Sequence, residues 1–105
     1  MTILEHAPLR IKPGQQAAFE AAFSEAQAII ARMPGYLGHS LQRCLEDETL
    51  YLLLVNWRSL DDHTVGFRQS AQYLEWKALL HHFYEPFPAV LHFAAVDGLG
   101  KPPTM

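Results

Sequence analysis

The chain has 105 residues, of which 50% are hydrophobic and 18% are charged, so it is long enough for one domain with its own core and too apolar to remain disordered. The formal net charge is −3 and no run of Lys or Arg occurs, which argues against nucleic acid as a partner because a phosphate backbone requires a basic stripe. The single cysteine, Cys44, excludes an internal disulfide and favours a reducing cytoplasm.

The start of the chain lacks the basic-then-apolar pattern of a signal peptide. No uninterrupted apolar run approaches the roughly 18 residues that a membrane-spanning helix requires. We therefore expect a cytoplasmic protein that has no membrane partner.

The first part of the chain predicts a strand, a helix and a second strand. Residues 3–11 alternate between apolar and polar, and Pro8 indicates an edge or a bulge in this strand. A helix is predicted from about Gln15 to Met33, because its apolar residues recur at helical spacing, and Pro34-Gly35 ends it. Residues 36–45 alternate again and predict the second strand. The helical apolar stripe consists of Phe19, Ala22, Phe23, Ala26, Ile29, Ile30 and Met33.

Residues 50–57 predict the third strand, after a polar hairpin turn at residues 46–49. The sequence Leu-Tyr-Leu-Leu-Leu-Val-Asn-Trp contains no charge. A nearly continuous apolar run of this length is typical of a strand that is covered on both faces.

Two helical segments are predicted after the third strand. Ser59 with Asp62 resembles a capping box and indicates a short helix that breaks near Gly66. Ser70 can cap a longer helix over about residues 71–84. The apolar face of the longer helix consists of Tyr73, Trp76, Leu80, Phe83 and Tyr84.

After two prolines, residues 89–96 predict the fourth strand. We interpret residues 1–97 as one domain and residues 98–105 as a flexible tail. The element order predicts an α+β, ferredoxin-like βαββαβ fold, in which a four-stranded antiparallel sheet has both helices on one face. Because the third strand requires cover on both faces, we expect a homodimer in which a second copy packs on the bare face.

Several segments resemble the antibiotic biosynthesis monooxygenase (ABM) domain family, and together they span nearly the whole chain. They are Pro34-Gly-Tyr-Leu-Gly38, the strand that ends Asn56-Trp57, Gly66–Trp76, Leu80–Tyr84 and Pro88–Phe93. The resemblance implies a dimeric α+β barrel with a small cavity between sheet and helices in each subunit.

The resemblance also implies an activity, because some members of the family oxygenate anthrones and quinols without metal or flavin. We predict a cofactor-independent monooxygenase whose substrates are a small electron-rich aromatic and dioxygen. A deprotonated substrate of this kind can itself pass an electron to dioxygen. The protein then has to bind the substrate, take a proton and exclude water.

Two alternatives stay open. The first is haem binding or degradation. The haem-degrading branch carries an Asn on the first strand and a Trp and an iron-binding His on the later helices, whereas an ungapped alignment places His6, Phe67 and Lys77 there. His81, one turn beyond Lys77, could still act as a ligand in a shifted register. The second alternative is a non-catalytic dimer that binds a small molecule.

The histidines are the candidate general bases, because neutral imidazole accepts protons near pH 7. We rank His6 and His81 first and His63 next. His6 lies on the opposite side of the first strand from its apolar residues, and its role depends on what covers that side. His81 and His82 point roughly 100° apart on a helix, so they cannot chelate one metal ion, and we predict no metal site.

Other candidates would steady an oxyanion or bind the substrate. Asn56 or Arg58 could hold the developing negative charge. Asn56 could equally bond the backbone, whereas Arg58 is first of all expected to pair with Asp61 or Asp62 on the surface. The aromatic residues are first of all expected in the core, but in this family the same stripe lines the cavity. The predicted substrate-binding residues are Trp57, Arg58, His63, Phe67, Trp76 and Phe83.

Overall fold

The computed structural model describes residues 1–101 and contains a four-stranded sheet with helices on one face. Its elements, in chain order, are β1 (Ile3–Arg10), α1 (Gln16–Ile30), β2 (Tyr36–Arg43), β3 (Leu50–Trp57), a π-helical segment (Asp62–Phe67), α2 (Ala71–Leu80), a 3₁₀ turn (His81–Phe83) and β4 (Leu91–Phe93). Of the predicted tail, residues 102–105 lie outside the described residues.

The sheet order is β2-β3-β1-β4, and each neighbouring pair is antiparallel. This is the predicted ferredoxin-like arrangement, which is thereby confirmed. The two central strands, β1 and β3, pair along their whole length, from Ile3 opposite Trp57 to Arg10 opposite Leu50. None of the helices within residues 1–101 is both long enough and apolar enough to cross a lipid bilayer.

The strands bury one face under the helices and leave the other face partly open. On β1 the side chains in the buried phase are Ile3, Glu5, Ala7 and Leu9, and on β3 they are Tyr51, Leu53, Val55 and Trp57. Helix α1 completes this core with Phe19, Phe23, Ala26 and Ile30. The opposite face carries Leu4, His6, Leu52 and Leu54, which are only half-buried in one chain. We call this second surface the open face.

Both predicted helix starts have the expected capping bonds. Ser59 Oγ accepts a hydrogen bond from the Asp62 backbone N–H at 3.2 Å, and Ser70 Oγ accepts one from the Tyr73 backbone N–H at 3.1 Å. The first helix, however, ends at Ile30 rather than Met33. The chain tightens there into i→i+3 bonds, since the Met33 N–H donates to the Ile30 carbonyl.

The fourth strand is shorter than predicted, with three residues instead of residues 89–96. Beyond the pairs with Leu91–Phe93, the same edge of β1 is hydrogen-bonded to the segment that follows the second helix. Tyr84 forms a bridge with Ile11, and the Glu85 N–H donates to the Arg10 carbonyl at 3.1 Å. The second helix ends at Leu80 and passes into a 3₁₀ turn, whereas the sequence predicted a helix up to residue 84. The chain therefore returns to β1 earlier than predicted.

Candidate active site

A cavity of about 40 Å³ lies between the helix-covered face of the sheet and the segments that follow β3. A water molecule needs roughly 10–15 Å³ by this measure, so the cavity has room for a few waters. Phe67 and Trp76 form aromatic walls, and the exposed side chains of Arg68 and Phe87 lie at the rim. The polar lining residues are Glu5, His63, Arg68, Tyr73, His81 and Tyr84.

Glu5 is a carboxylate in the buried phase of β1, and its residue is only 6% exposed. Its Oε1 accepts a hydrogen bond from the indole N–H of Trp57 at 3.0 Å. Burial raises the pKa of the Glu5 carboxyl above its usual range, while the Trp57 hydrogen bond and the Arg68 guanidinium act in the opposite direction. A raised carboxyl pKa makes the ionised form a stronger base.

The second oxygen of Glu5, Oε2, makes no hydrogen bond with any side chain or backbone group in residues 1–101, and Glu5 lines the cavity. Oε1 is held by Trp57. Oε2 is therefore the oxygen that a ligand in the cavity would meet. A partly desolvated carboxylate with one free oxygen is suited to accept a proton from a bound molecule.

His63 lies next to Glu5 in the cavity lining and is 2% exposed. The π-helical segment places its ring over the Trp57 indole, with ring centres 5.3 Å apart and planes 21° apart. Its Nε2 lies 3.2 Å from Glu5 Oε1, and its Nδ1 is hydrogen-bonded to His92 Nε2 at 2.8 Å. Burial, with the positive charges of Arg68 and His92, lowers the pKa of His63 to about 3. The imidazole is therefore neutral near pH 7, and its contact with Glu5 is not an ion pair.

A second polar group of the cavity consists of His81 and two tyrosines. The hydroxyl of Tyr73 lies 3.5 Å from His81 Nε2, and the rings of Tyr84 and Phe87 pack around the same imidazole. Burial and the nearby Lys77 ammonium lower the pKa of His81. Burial raises the pKa of Tyr73 and that of Tyr84, so both hydroxyls remain protonated donors near neutral pH.

The structure brings four of the predicted site residues to the cavity, namely His63, Phe67, Trp76 and His81. Trp57 and Phe83 are buried but do not line it. Trp57 is fully buried with its N–H bonded to Glu5, in agreement with the expectation of a satisfied core residue. It stands behind the cavity wall rather than in it.

Three predicted site residues lie away from the cavity. His6 and Asn56 are on the open face, so the sheet separates them from a ligand bound under the helices. Arg58 binds Asp62 through two hydrogen bonds, at 2.9 and 3.1 Å, which is the surface pairing considered as its alternative. The expectation that these side chains share one pocket with His81 is not met within one chain.

The sequence interpretation missed Glu5, His92 and Arg68. The signal for Glu5 was present, because it falls in the same period-two phase as Ile3 and Ala7 and so had to be buried with them. His92 is paired with Glu5 across β1 and β4, a register that no local pattern reveals. Arg68 has no distinguishing feature in the sequence.

The architecture and the cavity define a ferredoxin-like α+β domain with a small aromatic-walled pocket between sheet and helices. The sequence model of the family described as antibiotic biosynthesis monooxygenase matches residues 2–79. The chain therefore belongs to the antibiotic biosynthesis monooxygenase (ABM) family, as its sequence resemblance indicated.

Similar proteins are known from several bacteria. YczJ of Bacillus subtilis (strain 168), named as an uncharacterized protein, is 55% identical over 94 residues, which are 90% of this chain and 99% of YczJ. A crystal structure from Bordetella bronchiseptica, of a protein named as a member of the same family, is 37% identical with a TM-score of 0.87, covering 90% of this chain and 97% of that one.

A third comparison concerns the fold alone, because the identity is only 22%. SnoaB from Streptomyces nogalater, described as a cofactor-independent oxygenase, has a TM-score of 0.77, and the match covers 95% of this chain and 98% of that chain.

Proposed function

We propose that the protein is a cofactor-independent monooxygenase that oxygenates an electron-rich aromatic molecule, such as an anthrone or a quinol, in the cavity beside Glu5. The observation that carries the proposal is the free Oε2 of a buried carboxylate at an aromatic-walled cavity. Membership of the ABM family and the fold shared with an oxygenase support it.

In the proposed reaction, Glu5 Oε2 takes a C–H or O–H proton from the substrate. The resulting carbanion or phenolate passes one electron to dioxygen, and the two radicals combine to form the C–O bond of a peroxide. For an anthrone, the peroxide is protonated by Glu5, a second C–H proton is removed, and the O–O bond breaks. The products are a quinone carbonyl and water. A positioned general base of this kind contributes about 10²–10⁴-fold in rate.

Other cavity residues have supporting roles in this scheme. Phe67 and Trp76 stack on the substrate rings, and the hydroxyl of Tyr73 donates to the developing oxyanion. His81, beside that hydroxyl, is the second candidate base. Since the cavity has room for only a few waters, a three-ring substrate would require Phe87 and the chain after it to move aside.

We also propose that two copies associate through the open face in a reducing cytoplasm. The open face is rich in half-exposed leucines, and on it the buried Nδ1 of His6 has no hydrogen-bond partner within residues 1–101. A partner subunit would cover the leucines and bring its own polar groups to His6. His6 and Asn56 would then belong to the subunit interface.

The test is oxygen uptake by the metal-free protein with an anthrone and with a quinol, against a buffer blank. Glu5→Gln keeps the shape of the side chain but removes the base, and we expect a rate at least about 10²-fold lower. Glu25→Gln, at an exposed position of α1, is the matched control and should keep the wild-type rate. Wild-type uptake equal to the blank with both substrates, or full activity of Glu5→Gln, would contradict the proposal.

A further inference from the structure

Glu5, His63 and His92 form a continuous row from the cavity to the edge of the sheet. Glu5 and His92 are directly opposite each other on β1 and β4, so their side chains lie on the same face. His63 lies between them, with Nε2 at 3.2 Å from Glu5 Oε1 and Nδ1 at 2.8 Å from His92 Nε2. The row runs from a buried carboxylate to a half-buried histidine.

Packing alone does not account for this row. The Trp57 indole N–H is already satisfied by Glu5, so neither imidazole is needed for it. Buried titratable groups in a small core carry a desolvation cost. A metal centre is not indicated either, because within residues 1–101 no three side chains of metal-binding type converge on one point.

A neutral imidazole has one N–H and one lone pair, and the partner of one nitrogen decides which nitrogen carries the proton. If the His92 Nε2–H donates to His63 Nδ1, then His63 must carry its proton on Nε2, which is the nitrogen that approaches Glu5. With the opposite tautomer, the lone pair of His63 would face the carboxylate.

We propose that His92 is a positioning residue that fixes the tautomer of His63, so that the Nε2–H side of the imidazole, rather than a lone pair, lies beside Glu5 Oε1 and helps to keep the carboxylate ionised. This inference rests on the proposed function, in which Glu5 is the base. Trp57 donates a hydrogen bond to that oxygen, and the Nε2–H of His63 adds a second positive dipole at 3.2 Å from it. One hydrogen bond and a second positive dipole beside a carboxylate oxygen favour its charged form and oppose the effect of burial.

None of the other charged or titratable groups named around Glu5 takes the place of His63 beside Oε1. Arg68 favours the carboxylate from the rim, at an exposed position where solvent screens its charge. Tyr73, His81 and Tyr84 line the cavity, where the substrate would bind. His63 is the group that approaches Oε1 from the π-helical segment.

Two substitutions of His92 separate positioning from packing. His92→Gln retains an N–H that can donate to His63 Nδ1, whereas His92→Leu suits a strand but has no donor. Carbon-13 NMR of the glutamate carboxyls, with Glu5 assigned by Glu5→Gln, gives the Glu5 pKa without substrate. Nitrogen-15 shifts of the histidine rings give the His63 tautomer.

We expect His92→Leu to shift His63 away from the Nε2–H form and to raise the Glu5 pKa by up to about one pH unit, because a lone pair would then face the carboxylate at 3.2 Å. His92→Gln should leave both near wild type, as should His82→Leu at an exposed control position. An unchanged Glu5 pKa and an unchanged His63 tautomer in His92→Leu would overturn the inference.

Measuring the pH dependence of kcat/KM distinguishes this inference from the proposed function. In an active enzyme, the acid limb of the kcat/KM profile should move to higher pH in His92→Leu by the same shift, with the affinity for quinone product unchanged. If the protein has no oxygenase activity, the two NMR measurements still decide the role of His92, because neither requires turnover.

Discussion

The burial of His63 makes a specific prediction for the stability of the protein in acid. Burial is the largest cause that lowers its pKa to about 3, from the ordinary histidine value of 6.5. In the unfolded chain the imidazole takes up a proton as the pH falls below 6.5, whereas in the folded protein it remains neutral until about pH 3. Stability is therefore fully present above pH 6.5 and is lost progressively as the pH falls toward 3.

The magnitude follows from the difference between the two states. At pH 4.5, two units below the ordinary pKa of 6.5, the loss is about 3 kcal/mol, because each unit is worth about 1.4 kcal/mol. Marginally stable domains have about 5–15 kcal/mol in total, so this single group is a large part of the acid sensitivity. With a urea m-value of about 1–3 kcal/mol/M, the unfolding midpoint falls by roughly 1–3 M.

The titration of Glu5 changes the stability in the opposite direction to that of His63, so the comparison is made in variants in which Glu5 is replaced. Because its folded pKa is raised, the native state binds a proton more readily, and stability rises as the pH falls through the folded pKa toward 4.5. The informative pair is Glu5→Gln against Glu5→Gln with His63→Gln. The second variant lacks the imidazole but retains an amide in its place.

The assay is urea unfolding followed by tryptophan fluorescence between pH 7.5 and 4.5, at one fixed protein concentration. Glu5→Gln should lose about 3 kcal/mol more stability over this range than the double variant. His39 and His81 also have pKa values lowered by burial, but both are present in the two proteins and their contributions cancel. His92 is hydrogen-bonded to His63, so any change in its titration is part of the measured difference. Equal slopes in the two proteins would refute the reasoning, because His63 would then titrate alike in the folded and unfolded states.

Two further predictions concern the helix cap and the open face. Ser70→Ala should cost about 1 kcal/mol in urea unfolding, because the hydroxyl accepts from the Tyr73 N–H at 3.1 Å and donates to the Phe67 carbonyl at 2.6 Å. Ser70→Thr keeps a hydroxyl that can make both bonds and should recover most of the loss. Leu54→Asp on the open face should convert a dimer into a monomer near 11.9 kDa in light scattering, whereas Leu45→Asp in the exposed turn should not, and a wild-type mass near 12 kDa would contradict the dimer.

The parts of the fold that were predictable from the sequence are those that local chemistry specifies. Strand β3 matches its predicted range, Leu50–Trp57, because an uncharged apolar run lies between a polar turn and a capped helix. The hydroxyl caps at Ser59 and Ser70 are also local signals. The ends of α1 and β4 were less predictable, since they depend on where the chain meets β1.

The candidate site was only partly predictable, for a related reason. His63, Phe67, Trp76 and His81 lie on segments whose positions follow from the fold, and all four line the cavity. The pairing of Glu5 with His63 and His92 depends on a strand register and on a π-helical segment, and neither has a sequence signature. The sequence also does not determine which face of β1 packs against the helices, so it could not show that His6 lies outside the cavity.

The two edges of the sheet have a consequence for how copies of the chain aggregate. A long regular edge is a template on which another chain can add a strand, which is the route to fibrils. In β2 the register shifts between Tyr36 and Gly38, and such an irregularity bends an edge away from pairing. The opposite edge, β4, offers only three residues. The regular edge that β2 leaves open to another chain is thus limited to residues 38–43, although half of the residues in the chain are hydrophobic.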